Sequence, residues 1–567
     1  MKKIITYLLL CLFVAPAVFA EEKSQKKDWG RVTGSFESTN HYYVDDAAND
    51  FYPYMQPQLQ DGNRFASNDY LKLDYYKGKL SAGMQLEGYT PSLVGYPIPE
   101  SMLSLSNIYV SWRDKSYSVT AGTFYEQLGS GMLFRSWEDR MLGLNNAMLG
   151  ARATYNLQDK LAVRAFWGIP RLGKVDGNTY MMGFETKAFG LGLAPEVNVA
   201  AADLSLSLSN LLDLDAVSLL LEASVLNKHE QLDDYLIQAG CKKNNIGWSG
   251  RVNFDLDGFF VKGEYVDAGN QIANIMNIAK GPERGNAQLV ELGYNGRGLG
   301  VTFTGRRIDR MNRLNNKIYS YNKTSTVDAT ANILSYIPAM CTQYTYMLTT
   351  LNPYNPELGD KMVPSGEIGG QLDAFYNFRR GTKLGGKRGM KMHANFSTYY
   401  GLNENGGTKD GGFLFSDFSF DVEKQWTKKF KSVLLYSHQN YNGKNVTSGQ
   451  YIGKSHIVVA DLLYKWTPTI STRMELQYLS TKDDQGDWMA GLFEFNLAPH
   501  WSVYASDMWN HGSSRLHYYN GGLSYTIEHV RIAAGYGRYK AGFICSGGVC
   551  REIPAYTGAN LSLTASF

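Results

Sequence analysis

Along most of the chain, apolar and polar residues change places at every step. Leu80, Ala82, Met84 and Leu86 alternate with Ser81, Gln85 and Glu87, and Val252 and Phe254 with Arg251, Asn253 and Asp255. Met474, Leu476 and Tyr478 do the same against Arg473, Glu475 and Gln477. A period of two puts each set on its own face of a strand, as a wall between lipid and a wet lumen requires. A half-buried strand in a soluble sandwich alternates in the same way, so no single segment decides. Repetition over more than about twenty segments in one chain favours one barrel over a string of sandwiches.

The connections supply an independent test. Tight links fall at Lys77-Gly78, Asp114-Lys115, Asn156 to Lys160, Asp257-Gly258, Asn295 to Gly298, Trp426 to Lys428, Thr467 to Ile470, Ala498 to His500 and Glu528. Between consecutive tight links lies one long polar stretch, such as 44–68, 90–104, 126–146, 228–246, 268–285 or 541–556. Outer-membrane barrels have this succession of short periplasmic turns and longer extracellular loops. The expected fold is therefore all-β: a single large antiparallel transmembrane β-barrel of about 24 strands, within roughly 22–26, with both termini periplasmic. The stretch 188–215 leaves room for one further hairpin. Segment 309–368, with Ile337-Pro338-Ala339 and Asn352-Pro353-Tyr354-Asn355-Pro356, fits no turn parity. A barrel this wide would leak unless obstructed, so this segment is expected either to fold into the lumen as a plug or to remain an outside loop.

Composition narrows the class. With 44% hydrophobic residues among 567 and no apolar run of spanning length after the N-terminus, a polytopic helical membrane protein is excluded. The 58 glycines and 39 tyrosines against 16 prolines suit many strands, tight turns and interfacial aromatics. A formal charge of +3 carries no basic footprint, so no nucleic-acid partner is expected.

At the N-terminus, Lys2 and Lys3 precede the apolar run Ile4 to Val14, then Pro16 and Val18-Phe19-Ala20. This reads as a secretory signal peptide over 1–20, followed by a short tail at 21–28 and the barrel over 29–567. The implied location is the outer membrane of a Gram-negative cell. Outer-membrane lipid and the barrel-assembly machinery would be partners there, with protein partners in a membrane complex if the barrel is a subunit. At the other end, Leu561, Leu563 and Ala565 alternate with Ser562, Thr564 and Ser566 before a terminal Phe567. That pattern resembles the C-terminal signal of bacterial outer-membrane barrels, although a half-buried soluble strand would look similar.

Cys11 lies inside the apolar leader, which leaves Cys241, Cys341, Cys545 and Cys550. In Cys545-Ser-Gly-Gly-Val-Cys550 two glycines allow the reversal that a short bridged loop needs, so Cys545 and Cys550 are the candidate disulfide. The rival reading, half of a metal site, lacks a second pair at ligand spacing. Whether Cys241 joins Cys341 is open, since four cysteines allow three pairings.

Several words resemble an uncharacterised family of outer-membrane β-barrel proteins from the Bacteroidota, a domain of unknown function. They are Gly129-Ser-Gly-Met-Leu-Phe-Arg135-Ser-Trp-Glu138-Asp139-Arg140, Gly285-Asn-Ala287, Gly296-Arg-Gly-Leu-Gly300, Ile337-Pro338-Ala339, Leu384-Gly-Gly-Lys387-Arg-Gly389, Gly486-Asp-Trp488 and Gly542-Phe-Ile-Cys545-Ser-Gly-Gly-Val-Cys550-Arg551. The resemblance spans nearly the whole mature chain and implies an outer-membrane location, with no assigned activity.

Two constellations stand out for chemistry. Arg135, Glu138, Asp139 and Arg140 alternate in sign within one loop, fitting either an ion network that fixes loop shape or a contact for a charged ligand. Arg379, Arg380, Lys383, Lys387 and Arg388 crowd a turn between strands, where they are either solvated or meet phosphate groups of lipid or a partner protein. Gly453-Lys454-Ser455 has Ser448 where a phosphate loop needs glycine, and neither a His-Glu-x-x-His nor a Gly-x-Ser-x-Gly pattern occurs. No catalytic, cofactor-binding or metal-binding residues are expected, and the chain is not read as an enzyme. The expected functions are a solute channel or an integral subunit of an export, assembly or uptake complex. A surface structural or adhesive protein is the alternative, and a barrel enzyme acting on lipid the remotest.

Overall fold

The computed structural model describes residues 29–59, 62–96, 102–171, 197–275, 278–311, 366–402, 413–441, 453–483, 485–546 and 549–567. Twenty-four strands form one sheet. The first eight are β1 Arg31–Tyr43, β2 Phe65–Lys77, β3 Leu80–Tyr89, β4 Met102–Arg113, β5 Tyr117–Phe124, β6 Met148–Leu157, β7 Leu161–Pro170 and β8 Val197–Ser207. The next eight are β9 Val217–Glu230, β10 Asn244–Leu256, β11 Phe259–Ile275, β12 Ile278–Gly296, β13 Leu299–Asp309, β14 Gly366–Phe378, β15 Met390–Leu402 and β16 Phe413–Gln425. The last are β17 Phe430–Tyr441, β18 Lys454–Lys465, β19 Ile470–Thr481, β20 Trp488–Leu497, β21 Trp501–Asn510, β22 His517–Ile527, β23 Val530–Tyr539 and β24 Tyr556–Ser566. Each pairs antiparallel with its neighbours in sequence, and β24 pairs with both β23 and β1. That last pairing removes the sheet edges, so every strand finds its backbone partners within the wall.

The short links gather at one end and the long ones at the other. Asp257-Gly258 and Arg297-Gly298 both take positive φ at two successive residues, the hairpin geometry whose twist matches the flanking strands. At Gly258 a Cβ would sit 2.5 Å from the Asn295 carbonyl oxygen, so the close approach requires glycine.

The alternation in sequence becomes two faces. Val252, Met474, Leu476 and Tyr478 stand exposed on the outer wall, with Leu434, Val503, Leu523, Ile532 and Leu561 around the same belt. Trp112, Tyr117, Tyr155 and Trp501 ring it at the short-turn end, and Tyr42, Trp167, Trp248 and Tyr536 at the long-loop end. This is the dress of a surface that meets hydrocarbon between two interfaces. No helix among the described residues is long and apolar enough to cross a membrane. At the C-terminus Leu561 and Leu563 lie on the outer wall, while Phe567 exchanges backbone hydrogen bonds with Gly34 at 2.8 and 3.0 Å and closes the ring against β1.

Candidate functional site

The largest buried cluster lies inside the barrel. Residues 125–147, which join β5 to β6 at the long-loop end, turn inward as two small hairpins. Gln127–Leu128 pairs with Phe134–Arg135, and Glu138–Asp139 pairs with Leu144–Asn145. Leu128, Met132, Leu133 and Phe134 are fully buried, packed against Phe166 of β7, Val199 of β8, Leu226 of β9, Val266 of β11, Ala287 of β12 and Ile308 of β13. The Phe134 ring lies 5.1 Å from that of Phe166. Lumen positions that would face water in an empty pore are apolar at this level because the segment covers them. Each large side chain so buried contributes about 1.5–3 kcal/mol to holding it there.

Polar groups fix the segment at both flanks. On one side Glu126 pairs with Arg152 of β6 and, at 2.7 Å, with Arg164 of β7. Arg164 and Arg251 share Asp203 at 2.7 and 2.6 Å, and Arg251 also reaches Glu222 at 3.3 Å. Farther along the wall, the Ser130 N–H donates to Glu264 Oε2 at 3.0 Å. Gly129 permits this: its φ is +55°, and a Cβ there would lie 2.2 Å from Glu264 Oε1.

On the other side Arg140 donates to Glu37 of β1 at 2.6 Å and to Gln85 of β3 at 3.2 Å, while its guanidinium covers the Tyr70 ring at 4.4 Å. Gln85 in turn donates to Glu138 at 2.7 Å, and Glu138 lies 3.4 Å from Arg140. Tyr96 donates its hydroxyl to the Arg140 carbonyl at 3.1 Å.

Of the four charges singled out in sequence, Glu138 and Arg140 meet in one network. Arg135 instead stacks over Trp137 at 3.9 Å. Partial burial lowers its pKa below the ordinary arginine value, opposed by the Asp139 charge. Asp139 closes a turn by accepting the Leu142 N–H at 3.0 Å. Of the groups that carry most of the latch, Glu126 belongs to the segment, while Arg152, Arg164, Asp203, Arg251 and Glu264 lie on five separate strands, and nothing local in sequence joins them.

The remaining candidates fall elsewhere. The backbone places Cys545 directly opposite Cys550 in a separate hairpin, Gly542–Ser546 with Val549–Ile553, at the long-loop end. Cys241 is a free, buried thiol packed with Leu232 and Leu236. Arg379, Arg380, Lys383 and Lys387 are exposed in the turn between β14 and β15. Cys341 and nearly all of 309–368 lie outside the described residues.

Across the lumen, the inner wall is held differently. Arg473 of β19 grips Asp461 of β18 at 3.1 Å and Glu494 of β20 at 2.8 Å, and also its own-strand neighbour Glu475 at 2.5 Å. His393 of β15 sits between Asp373 of β14 and Asp421 of β16, 2.7 Å from each. A cavity of about 900 Å³ lies against β19–β23, lined by Arg473, Glu475, Gln477, Trp488, Tyr518 and Asn520 among others.

These features define a transmembrane β-barrel of 24 strands whose lumen is partly filled from within by its own latched segment. The chain belongs to a family of unknown function, DUF6029, whose model matches residues 1–567. No curated protein matches it in sequence. Among solved structures, it is similar to the siderophore receptor PirA from Pseudomonas aeruginosa, with 11% identity, coverage of 96% of this chain and 81% of that one, and a TM-score of 0.41. The P pilus usher (PapC) translocation pore matches with 8% identity, over 94% of this chain and 99% of that one, at a TM-score of 0.44.

Proposed function

We propose that the protein resides in the outer membrane of a Gram-negative cell, exported by residues 1–20, with its short turns in the periplasm. There it passes solutes through a lumen narrowed by residues 125–147. The observation that carries this reading is the inward segment itself, apolar where it meets the wall and ion-paired at both flanks. An unobstructed barrel of this size would be a wide aqueous hole, and a fixed constriction turns such a hole into a selective passage.

Planar-bilayer recording on purified protein tests it. Discrete conductance steps are expected, larger when residues 127–146 are replaced by a short Gly-Ser link. Silence of both proteins, together with copurification of a defined partner from native membranes, would instead identify a subunit of a larger complex.

A further inference from the structure

The short-turn rim carries its charges unevenly. The turns between β4 and β5, β6 and β7, β8 and β9, and β10 and β11 bear Asp114, Asp159, Asp213, Asp215 and Asp257 against Lys115 and Lys160. On the arc from β14 to β19 the sign reverses. The β14–β15 turn holds Arg379, Arg380, Lys383, Lys387 and Arg388 with no acidic residue, the β16–β17 turn adds Lys428 and Lys429, and Lys465 ends β18. Among the described residues none of these eight forms an ion pair, whereas Lys431 just inside the rim pairs with Glu423 at 2.8 Å.

This arc is one ordered patch rather than a set of loose tips. Within the β14–β15 turn, the Gly381 N–H donates to the Gly386 carbonyl at 2.7 Å and the Gly389 N–H to the Gly385 carbonyl at 2.8 Å. Lys424 ties β16 to the same turn through the Leu384 carbonyl and, at 3.2 Å, the Gly385 carbonyl. Lys429 ties the β16–β17 turn to the next through the Trp466 carbonyl at 2.9 Å. Holding so many like charges on a fixed backbone is unfavourable unless an anion meets them.

Two aromatic residues narrow the choice of anion. Trp426 and Trp466 are 57% and 54% exposed among these cations, and their indole N–H groups are already spent on Ser432 at 2.8 Å and Thr472 at 3.1 Å. Their rings are therefore presented as apolar bodies, beside an exposed Leu384. Indole rings at the edge of an apolar wall, with lysine and arginine just beyond, match the depth profile of a bilayer surface, acyl boundary first and phosphate next. A soluble acidic protein would satisfy the charges and leave the rings in water.

We propose that the β14–β19 arc of the short-turn rim is a binding site for anionic phospholipid headgroups of the facing leaflet. It rests on the membrane-spanning reading and fails separately from it. A chain that stays folded and dissolved without detergent removes that reading, whereas indifference to lipid charge removes only the inference.

Native mass spectrometry of the detergent-solubilised full chain, mixed with equimolar phosphatidylglycerol and phosphatidylcholine, tests it. Phosphatidylglycerol is expected to be retained over phosphatidylcholine by roughly tenfold or more, because clustered basic residues attract anionic headgroups. High salt should remove the preference. The variant R379Q/R380Q/K383Q/K387Q/R388Q, checked for heat-modifiable migration as a folded barrel, should lose most of it, and R379K/R380K/R388K should keep it. Equal retention of the two lipids by the wild type would overturn the proposal, as would a preference indifferent to salt. So would tighter capture of polyglutamate than of phosphatidylglycerol, which would assign the patch to an acidic protein.

Discussion

The two halves of the lumen wall spend their polar groups differently. On β14–β20, Arg473 and His393 bind carboxylates on neighbouring strands, so each ion pair ties wall to wall and fixes strand register. On β1–β11 such wall pairs also occur, as where Arg164 and Arg251 share Asp203, but here Glu126, Ser130, Glu138 and Arg140 also reach outward from the inserted segment and tie wall to insert. The first arrangement stabilises the barrel as such. The second can be undone while the barrel stays closed, which is what a lumen element needs if it is to be adjusted independently of the wall.

Changes in the segment should therefore loosen it and spare the barrel, while changes in the wall should do the reverse. The largest effect is expected for Phe134→Ala, which empties the space against Phe166 and should cost about 3–5 kcal/mol of the segment's hold. Hydrogen exchange at the amides of 125–147 should speed up while heat-modifiable migration of the barrel is unchanged; parallel loss of both would erase the distinction between the halves.

Next comes the wall itself. Leu476→Arg faces lipid and should destabilise the barrel by about 2–4 kcal/mol, while arginine at the adjacent lumen-facing Gln477 should be tolerated. Urea unfolding from lipid vesicles compares them, and equal tolerance would contradict the assignment of faces.

Gly129→Ala should cost the segment about 1–2 kcal/mol for the left-handed backbone alone, with a further loss from the clash at Glu264, again read by exchange in 125–147.

The smallest effect is at the long-loop end, where Asp46 pairs with Arg538 at 2.7 Å. Burial would raise the Asp46 pKa, but hydrogen bonds from Arg538 and Thr557 outweigh it and hold the carboxyl below its ordinary 3.8. A depressed pKa means this stabilisation is fully present above the ordinary carboxylate range and is lost as pH falls below it. Loop 44–59 should accordingly become more susceptible to an acid-active protease only below about pH 4; loosening near neutrality would rule the pair out as its cause.

Much of the wall was legible in sequence because its rules are local. Val252 and Phe254 against Arg251 and Asn253 state the two faces in four residues, and Asp257-Gly258 states the reversal that follows. The insert obeys no such rule. Segment 126–146 reads as an outside loop because its short apolar run, Met132 to Phe134, has neither period. The surfaces that receive it, Val199, Leu226, Val266 and Ile308, come one from each of several strands, where a single apolar lumen position attracts no notice. A signal exists in the aggregate: apolar residues recur at one level on the polar face of successive strands. The charged word in the same segment fits either an ion network or a contact for a charged ligand, and in the fold Glu138 and Arg140 lie 3.4 Å apart, each hydrogen-bonded to Gln85 of the wall. Their partners Glu37 and Gln85 lie on strands far away in sequence and could not be paired without the fold.

Whether residues 125–147 lie in the lumen can be measured in intact cells with a membrane-impermeant maleimide. Leu133→Cys, at a position 0% exposed beneath the wall contacts, should be protected, while Tyr54→Cys, at a position 67% exposed in the first long connection, should label readily. Equal labelling of the two would place the segment outside the barrel and contradict the latch.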